Sequence, residues 1–163
     1  GMNRSLVYNR RLKPAIIKNY ALGYLFLRDR NEFVIPDDYE KTKMVYWLDG
    51  VVGDGTVNST VNDLLLFDRA LYTTQILSRE SIDLVFKNGI LNDGTIAKHG
   101  FGWRVMKVNG VGTIARHTGG WPGYATFMER DMDTDKTIII LQNLNNAVIP
   151  SEEIRAILYS GAD

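Results

Sequence analysis

The sequence predicts an α+β fold, an antiparallel sheet of about four strands laid out as a meander and packed with helices. Three observations predict it. Residues 101–143 hold four short alternating or apolar runs, and Asn109-Gly110 between the first two is a strong two-residue hairpin signal. The stretch before them changes to helical spacing, and a short amphipathic run follows Pro150. We read residues 1–163 as one domain with three parts: an irregular lead-in over 1–58, a helical segment over 59–100, and the sheet with a C-terminal helix over 101–163. A chain of this length can bury roughly 70% of its unfolded surface.

Composition narrows the function classes. Nineteen Lys+Arg balance nineteen Asp+Glu, which argues against nucleic acid as a partner, since a binder carries a basic excess. The absence of Cys removes disulfides, thiolate catalysis and Cys-ligated metal sites. The longest unbroken apolar run, Met44 to Leu48, is far short of the ~20 residues a membrane span needs.

The elements follow in order. Pro14 and Pro36 break local order in the lead-in, and residues 49–58 form a Gly-rich loop. Thr60 then caps a helix, with Asp63 three residues on as a capping-box-like pair. Val61, Leu64, Leu65, Phe67 and Leu71 recur at helical spacing within it. A second helix is expected over 79–87, capped by Ser78 and stopped by Gly89 in a left-handed conformation. Strands are expected over 101–108, 111–118, 124–130 and 137–143, with Gly119 to Gly123 as irregular chain. The run Thr137 to Leu141 is apolar on both faces, which places it centrally in the sheet. Ser151 caps the last helix, whose Ile154, Ile157 and Leu158 face the sheet.

Several motifs fail on their chemistry. Asp131-x-Asp133-x-Asp135 opens like a calcium loop, but Lys136 stands where Gly is needed and Gln142 where the bidentate Glu belongs. It reads as a solvated hairpin tip. His99 and His117 have no third ligand at zinc spacing, so no metal is expected. Gly53-Asp54-Gly55 lacks the Lys and hydroxyl of a phosphate loop. No cofactor is implied. His117-Thr118-Gly119-Gly120 is different. A hydrogen-bonding side chain, a hydroxyl and a Gly pair at a strand end can hold a carboxylate. They also let another backbone approach and aim an N–H at a developing oxyanion.

Taken together these segments resemble the serine β-lactamase-like hydrolases, the family of class C β-lactamases, DD-peptidases (penicillin-binding proteins) and related esterases. Gly53 to Leu64 resembles its Gly-Gly-x-x-Ser-Thr-x-x-Asp-Leu segment, and Leu77 to Ile82 resembles the helix that follows. Gly100-Phe101-Gly102-Trp103 resembles its Gly-x-Gly-Trp strand opening. His117 to Tyr124 resembles its His-Thr-Gly-Gly-x-Pro-Gly-Phe/Tyr, and Gly1 to Ser5 resembles Leu-Gly-Met-x-x-Thr/Ser.

The resemblance implies a partial β-lactamase/transpeptidase-like fold, substrate binding by His117, Thr118 and Gly119, and an oxyanion-hole N–H from Gly120. It also implies a Ser-x-x-Lys nucleophile and a Tyr-x-Asn or Ser-x-Asn proton relay. None of the six Ser has Lys three residues on, and no Tyr or Ser has Asn two residues on. Thr95-Ile96-Ala97-Lys98 has the spacing with the wrong hydroxyl and the wrong place in the order. The chain is therefore expected to be the C-terminal part of a longer enzyme, with no catalytic nucleophile of its own and no activity alone. The parent's substrate is expected to be peptidoglycan-like, a β-lactam or an ester, and its location periplasmic, extracellular or at the cell envelope. A non-catalytic remnant that binds peptide or peptidoglycan carboxylates is the alternative, and a purely structural module the third reading. The edge of the 137–141 strand is expected to be covered, by a second copy in a homodimer or by another segment of the chain.

Overall fold

The computed structural model describes residues 1–8, 15–43 and 52–160. Among these residues eight strands and three α-helices follow in order: β1 (Leu6–Val7), β2 (Leu25–Leu27), β3 (Glu32–Val34), β4 (Val57–Asn58), α1 (Val61–Ala70), α2 (Arg79–Val85), β5 (Arg104–Val108), β6 (Gly112–Trp121), β7 (Tyr124–Asp131), β8 (Thr137–Gln142) and α3 (Ser151–Tyr159). The run Met44 to Leu48, Pro14 and the first residues of the Gly-rich loop lie outside the described residues.

The expected meander is present. Strands β5-β6-β7-β8 form one antiparallel four-stranded sheet in sequence order. Gly110 (φ 74°) supplies the left-handed residue of the first hairpin, and the Val111 N–H closes it onto the Val108 carbonyl at 3.1 Å. Two strand boundaries differ from expectation by three residues, and the start of β6 and the ends of β7 and β8 differ by one. β5 begins at Arg104, because Gly102 (φ 82°) turns residues 101–103 off the ladder. β6 runs on through Gly119, Gly120 and Trp121, expected as irregular chain, and turns tightly at Pro122-Gly123. Pairing with β7 along its whole length overrides the low strand preference of the glycines.

The central placement expected for Thr137–Leu141 is overturned, since β8 is the last strand of this sheet. Its two apolar faces reflect two covers. α1 lies on one face, where Thr137 Oγ1 donates to Asp68 Oδ2 at 2.8 Å, and α3 lies on the other, where Arg155 and Tyr159 grip β7. The Asp131 N–H bonds the Lys136 carbonyl at 2.8 Å, and ladder alternation then turns the backbone groups of Thr137, Ile139 and Leu141 away from β7. Among the described residues, Tyr24 meets that edge only beyond the strand's end, where its N–H reaches the Asn143 carbonyl at 2.9 Å.

Helix starts hold better than helix faces. Thr60 Oγ1 accepts the Asp63 N–H and Ser78 Oγ accepts the Ser81 N–H, each at 3.2 Å. The Asp63 carboxylate does not close a capping box; it takes the Arg4 N–H and the Ser5 hydroxyl, both at 2.8 Å, and so ties the N-terminal segment to α1. α1 buries Asp63 and Asp68 and leaves Val61 and Leu65 exposed, so its inward face is partly acidic. Gly89 is not left-handed. It pairs instead with the 97–99 segment, its N–H bonding the His99 carbonyl at 2.9 Å. Ser151 is the first helical residue of α3 rather than its cap, which falls on Pro150 without a side-chain bond. Ile157 and Leu158 point outward, 74% and 39% exposed, because Arg155 and Tyr159 take the inward positions.

The core lies between the sheet and α1–α2. Leu71, Trp103 and Ala115 form its centre, with Phe67, Phe86, Val105 and Met128 packed around them. The Asp131–Asp135 turn is solvated at its tip, where Asp133, Thr134 and Asp135 are exposed as expected, and anchored at its base. Asp131 is buried and accepts from the Asp133 N–H (2.8 Å) and the Tyr159 hydroxyl (2.6 Å), while Asp135 pairs with Arg69. Those carboxylates are spent on the protein itself.

Candidate functional site

The His117-Thr118-Gly119-Gly120 segment sits in the half of β6 that outruns β5. Arg104 is the last residue of β5 to pair, opposite Arg116, so residues 117–121 keep β7 on one side and no strand on the other. The Met132 N–H bonds the Thr113 carbonyl at 2.8 Å, in line with the β6–β7 register. Ladder alternation then points the backbone groups of Thr113, Ala115, His117, Gly119 and Trp121 toward β7. Those of Thr118 and Gly120 point toward the open edge. Two N–H donors and two carbonyl acceptors thus line an edge that Gly102 has cleared by turning away.

His117 and Thr118 are exposed. Gly119 is required by its neighbour, because a Cβ there would run into Thr126 Oγ1 across the ladder. Gly120 is not: a Cβ there would meet nothing within 4 Å, so open space lies on the sheet face that its side chain would take.

The turn beyond the segment is braced from both sides. A Cβ on Gly55 would lie 2.7 Å from the Trp121 ring, so the Gly-rich loop packs flat against it. Gly23 and Gly123 bring their backbones into contact, the Tyr24 N–H reaches the Gly123 carbonyl at 3.2 Å, and the Tyr124 hydroxyl donates to the Ala21 carbonyl at 2.8 Å. Residues 20–24 of the irregular lead-in therefore act as a clamp that fixes where β6 ends.

Beside the segment is a cavity of about 220 Å³ lined by His99, Gly102, Arg104, Arg116, His117 and Thr118. Sequence reasoning singled out His117 and Thr118 but passed over Arg104 and Arg116, and it weighed His99 only as a zinc ligand. The register brings them together. Two histidines alone make no metal centre, and among the described residues no group of three or more His, Cys, Asp or Glu could hold an ion. The four side chains suit an anion instead, since none of the lining residues is acidic.

The family model for beta-lactamase matches residues 12–160. The chain belongs to the beta-lactamase family. It is 46% identical over 143 residues to penicillin-binding protein 4* of Bacillus subtilis (strain 168), covering 88% of this chain and 32% of that protein. The chain thus spans about a third of the length of this curated relative. Among solved structures it resembles the octameric penicillin-binding protein homologue from Pyrococcus abyssi, with a TM-score of 0.73 at 22% identity, covering 98% of this chain and 34% of that one. It also resembles a penicillin-binding protein from Bacillus halodurans, with a TM-score of 0.69 at 15% identity, covering 98% and 45% respectively. These two likenesses show the fold, a mixed α+β architecture with antiparallel sheets that the family shares. Family and fold class are thus as the sequence motifs indicated.

Proposed function

We propose that this chain carries the substrate-binding strand of a serine hydrolase of the penicillin-binding-protein type. In this reading the open edge of β6 takes the substrate backbone as an added strand, through the outward N–H and carbonyl of Thr118 and Gly120. His117 and Thr118 contact the substrate carboxylate. Gly119 permits close approach, and the Gly120 N–H supplies half of an oxyanion hole, the other half being the nucleophile's own N–H. The observation that carries the reading is the coincidence of the His-Thr-Gly-Gly residues with the only stretch of β6 that lacks a neighbour on one side among the described residues.

The 163 residues contain neither Ser-x-x-Lys nor Tyr-x-Asn, so half an oxyanion hole is left without a nucleophile. Loss of the nucleophile and base of such a unit costs on the order of 10⁶-fold in rate. The chain alone is inactive toward β-lactams, peptides and esters, and the activity belongs to a longer parent acting at the cell envelope. The test is covalent labelling by a fluorescent penicillin. We expect the full-length gene product to be labelled and this chain not to be. Nitrocefin or p-nitrophenyl ester turnover that purifies with the 163-residue chain and vanishes in His117→Ala overturns the reading.

A second reading, a non-catalytic module for peptide or peptidoglycan carboxylates, is favoured by the same edge, which needs no nucleophile to bind. Saturable binding of a D-Ala-D-Ala peptide to this chain, with no labelling of the full-length product, selects it. The outward backbone groups of Thr137, Ile139 and Leu141 offer a further place for strand addition, and a homodimer through β8 would satisfy them.

A further inference from the structure

Arg104 and Arg116 stand directly opposite each other on the β5–β6 ladder, so both side chains rise from the same face of the sheet. Like charges in that position repel unless something compensates them. No ion pair among the described residues does so. Glu129, the residue across from Arg116 on β7, is held by Arg155 with bonds of 2.8 and 2.6 Å. Arg104 Nε is buried and has no hydrogen-bond partner. Both guanidiniums line the same 220 Å³ cavity as His99 and His117, and no lining residue is acidic. Two arginines thus line a cavity of small-molecule size, and one buried donor, Arg104 Nε, is left without a partner.

We infer that this cavity takes a second acidic group of the ligand, so that the preferred ligand is a dicarboxylate. One carboxylate meets His117 and Thr118, and the other bridges Arg104 and Arg116. The inference rests on the carboxylate-binding role given above to His117 and Thr118, and it adds the charge class of what is bound. The number follows from the two places in one cavity, one at His117 and Thr118 and one between Arg104 and Arg116. The spacing agrees. Arg116 and Thr118 are two residues apart on one strand face, about 7 Å at the usual rise per residue, within the span of two carboxylates on a short carbon chain. Guanidinium is also the group best shaped to take a carboxylate through two parallel hydrogen bonds.

The two histidines of the chain both line the cavity, so their ring resonances report its occupancy directly. The experiment titrates the complete chain at low salt with glutarate and, separately, with butyrate. The expected result is glutarate binding at least tenfold tighter than butyrate, with both His99 and His117 shifting. In Arg116→Gln the two acids should bind within about twofold of each other, and Arg116→Lys should restore part of the preference. Arg104→Gln serves as a second variant with the same expectation. Butyrate that shifts His117 while glutarate gains nothing overturns the dicarboxylate inference and leaves the strand-edge reading in place. A glutarate preference that survives both Gln variants, or no binding of either acid, also overturns it. The strand-edge reading itself stands or falls on penicillin labelling of the full-length product.

Discussion

Gly119 and Thr126 face each other across the β6–β7 ladder so closely that any Cβ on Gly119 would overlap the threonine Oγ1. Gly119→Ala is therefore expected to destabilise the chain by about 1–3 kcal/mol, the usual cost of overpacking a closed site. Thr126→Ala removes the offending oxygen, and in that background the same substitution should cost no more than about 0.5 kcal/mol, a coupling that a double-mutant cycle in urea would measure. Gly120→Ala, with nothing within 4 Å, should be neutral to within about 0.5 kcal/mol. The two adjacent glycines separate a packing requirement from a space kept for something else.

The Arg155–Glu129 pair is the hold of α3 on the sheet. Glu129 is nearly fully buried, and Arg155 engages both of its oxygens. Arg155→Met strands that carboxylate and should cost about 3–5 kcal/mol. Glu129→Gln should cost less, because the partly exposed arginine can turn to water. Denaturant melts rank the two, and amide exchange along 151–159 should rise more than elsewhere in both variants.

Asp131 and Tyr159 give the fold a pH dependence at both ends of the scale. Burial opposes the charge on Asp131, but hydrogen bonds from Thr134, Tyr159 and two backbone N–H groups outweigh it and hold its pKa below the ordinary value. Its contribution is complete above the unfolded pKa of about 3.9 and is lost as pH falls toward the depressed native value. Burial, and next the bond to Asp131, push the Tyr159 phenol above its usual range. That contribution is complete below about pH 10 and is lost as pH rises past it. The stability gap between the wild type and Asp131→Asn should be flat near neutrality and close below about pH 4. The gap to Tyr159→Phe should close only above about pH 10.

Among the described residues Arg130 is the largest fully buried side chain, with its guanidinium carbon 3.8 Å from the Tyr72 ring centroid and its Nε 3.5 Å from Asp68 Oδ1. Arg130→Met leaves the buried Asp68 carboxylate with only the Thr137 hydroxyl and the more distant Arg69, its Nε at 3.8 Å, and should cost about 3 kcal/mol, the lower end for breaking a buried pair. Pairing it with Asp68→Leu removes both charges and should recover most of that loss. A double variant as unstable as the single one would show that Arg130 acts through ring packing alone.

Much of the sheet was legible because its signals are local. Asn109-Gly110 fixed a hairpin, and alternation marked the strands on either side. Properties set by partners were not legible. Glycine at 119 and 120 argues against a strand until β7 supplies the pairing, and the apolar run at 137–141 cannot say whether covers or neighbours explain it. The inward positions of α3 went to Arg155 and Tyr159 because their acidic partners lie more than twenty residues away. Arg104 and Arg116 were missed because their pairing depends on the length of the loop. Counting outward from a two-residue Asn109-Gly110 turn sets residue 104 against Ala115, whereas the loop takes in Val111 as well and sets it against Arg116.

Gly102 has a consequence for how such a site can be lost. Its left-handed backbone is the point at which the chain stops pairing with itself. If residues 100–102 continued the hairpin, the same register would lay Gly102 against Thr118 and Gly100 against Gly120. In the proposed reading, the polypeptide would then be its own competitive inhibitor, tethered at saturating effective concentration on the edge assigned to the substrate. The vacancy on β6 is thus an actively defended boundary, kept by one residue whose neighbours have every geometric reason to fill it.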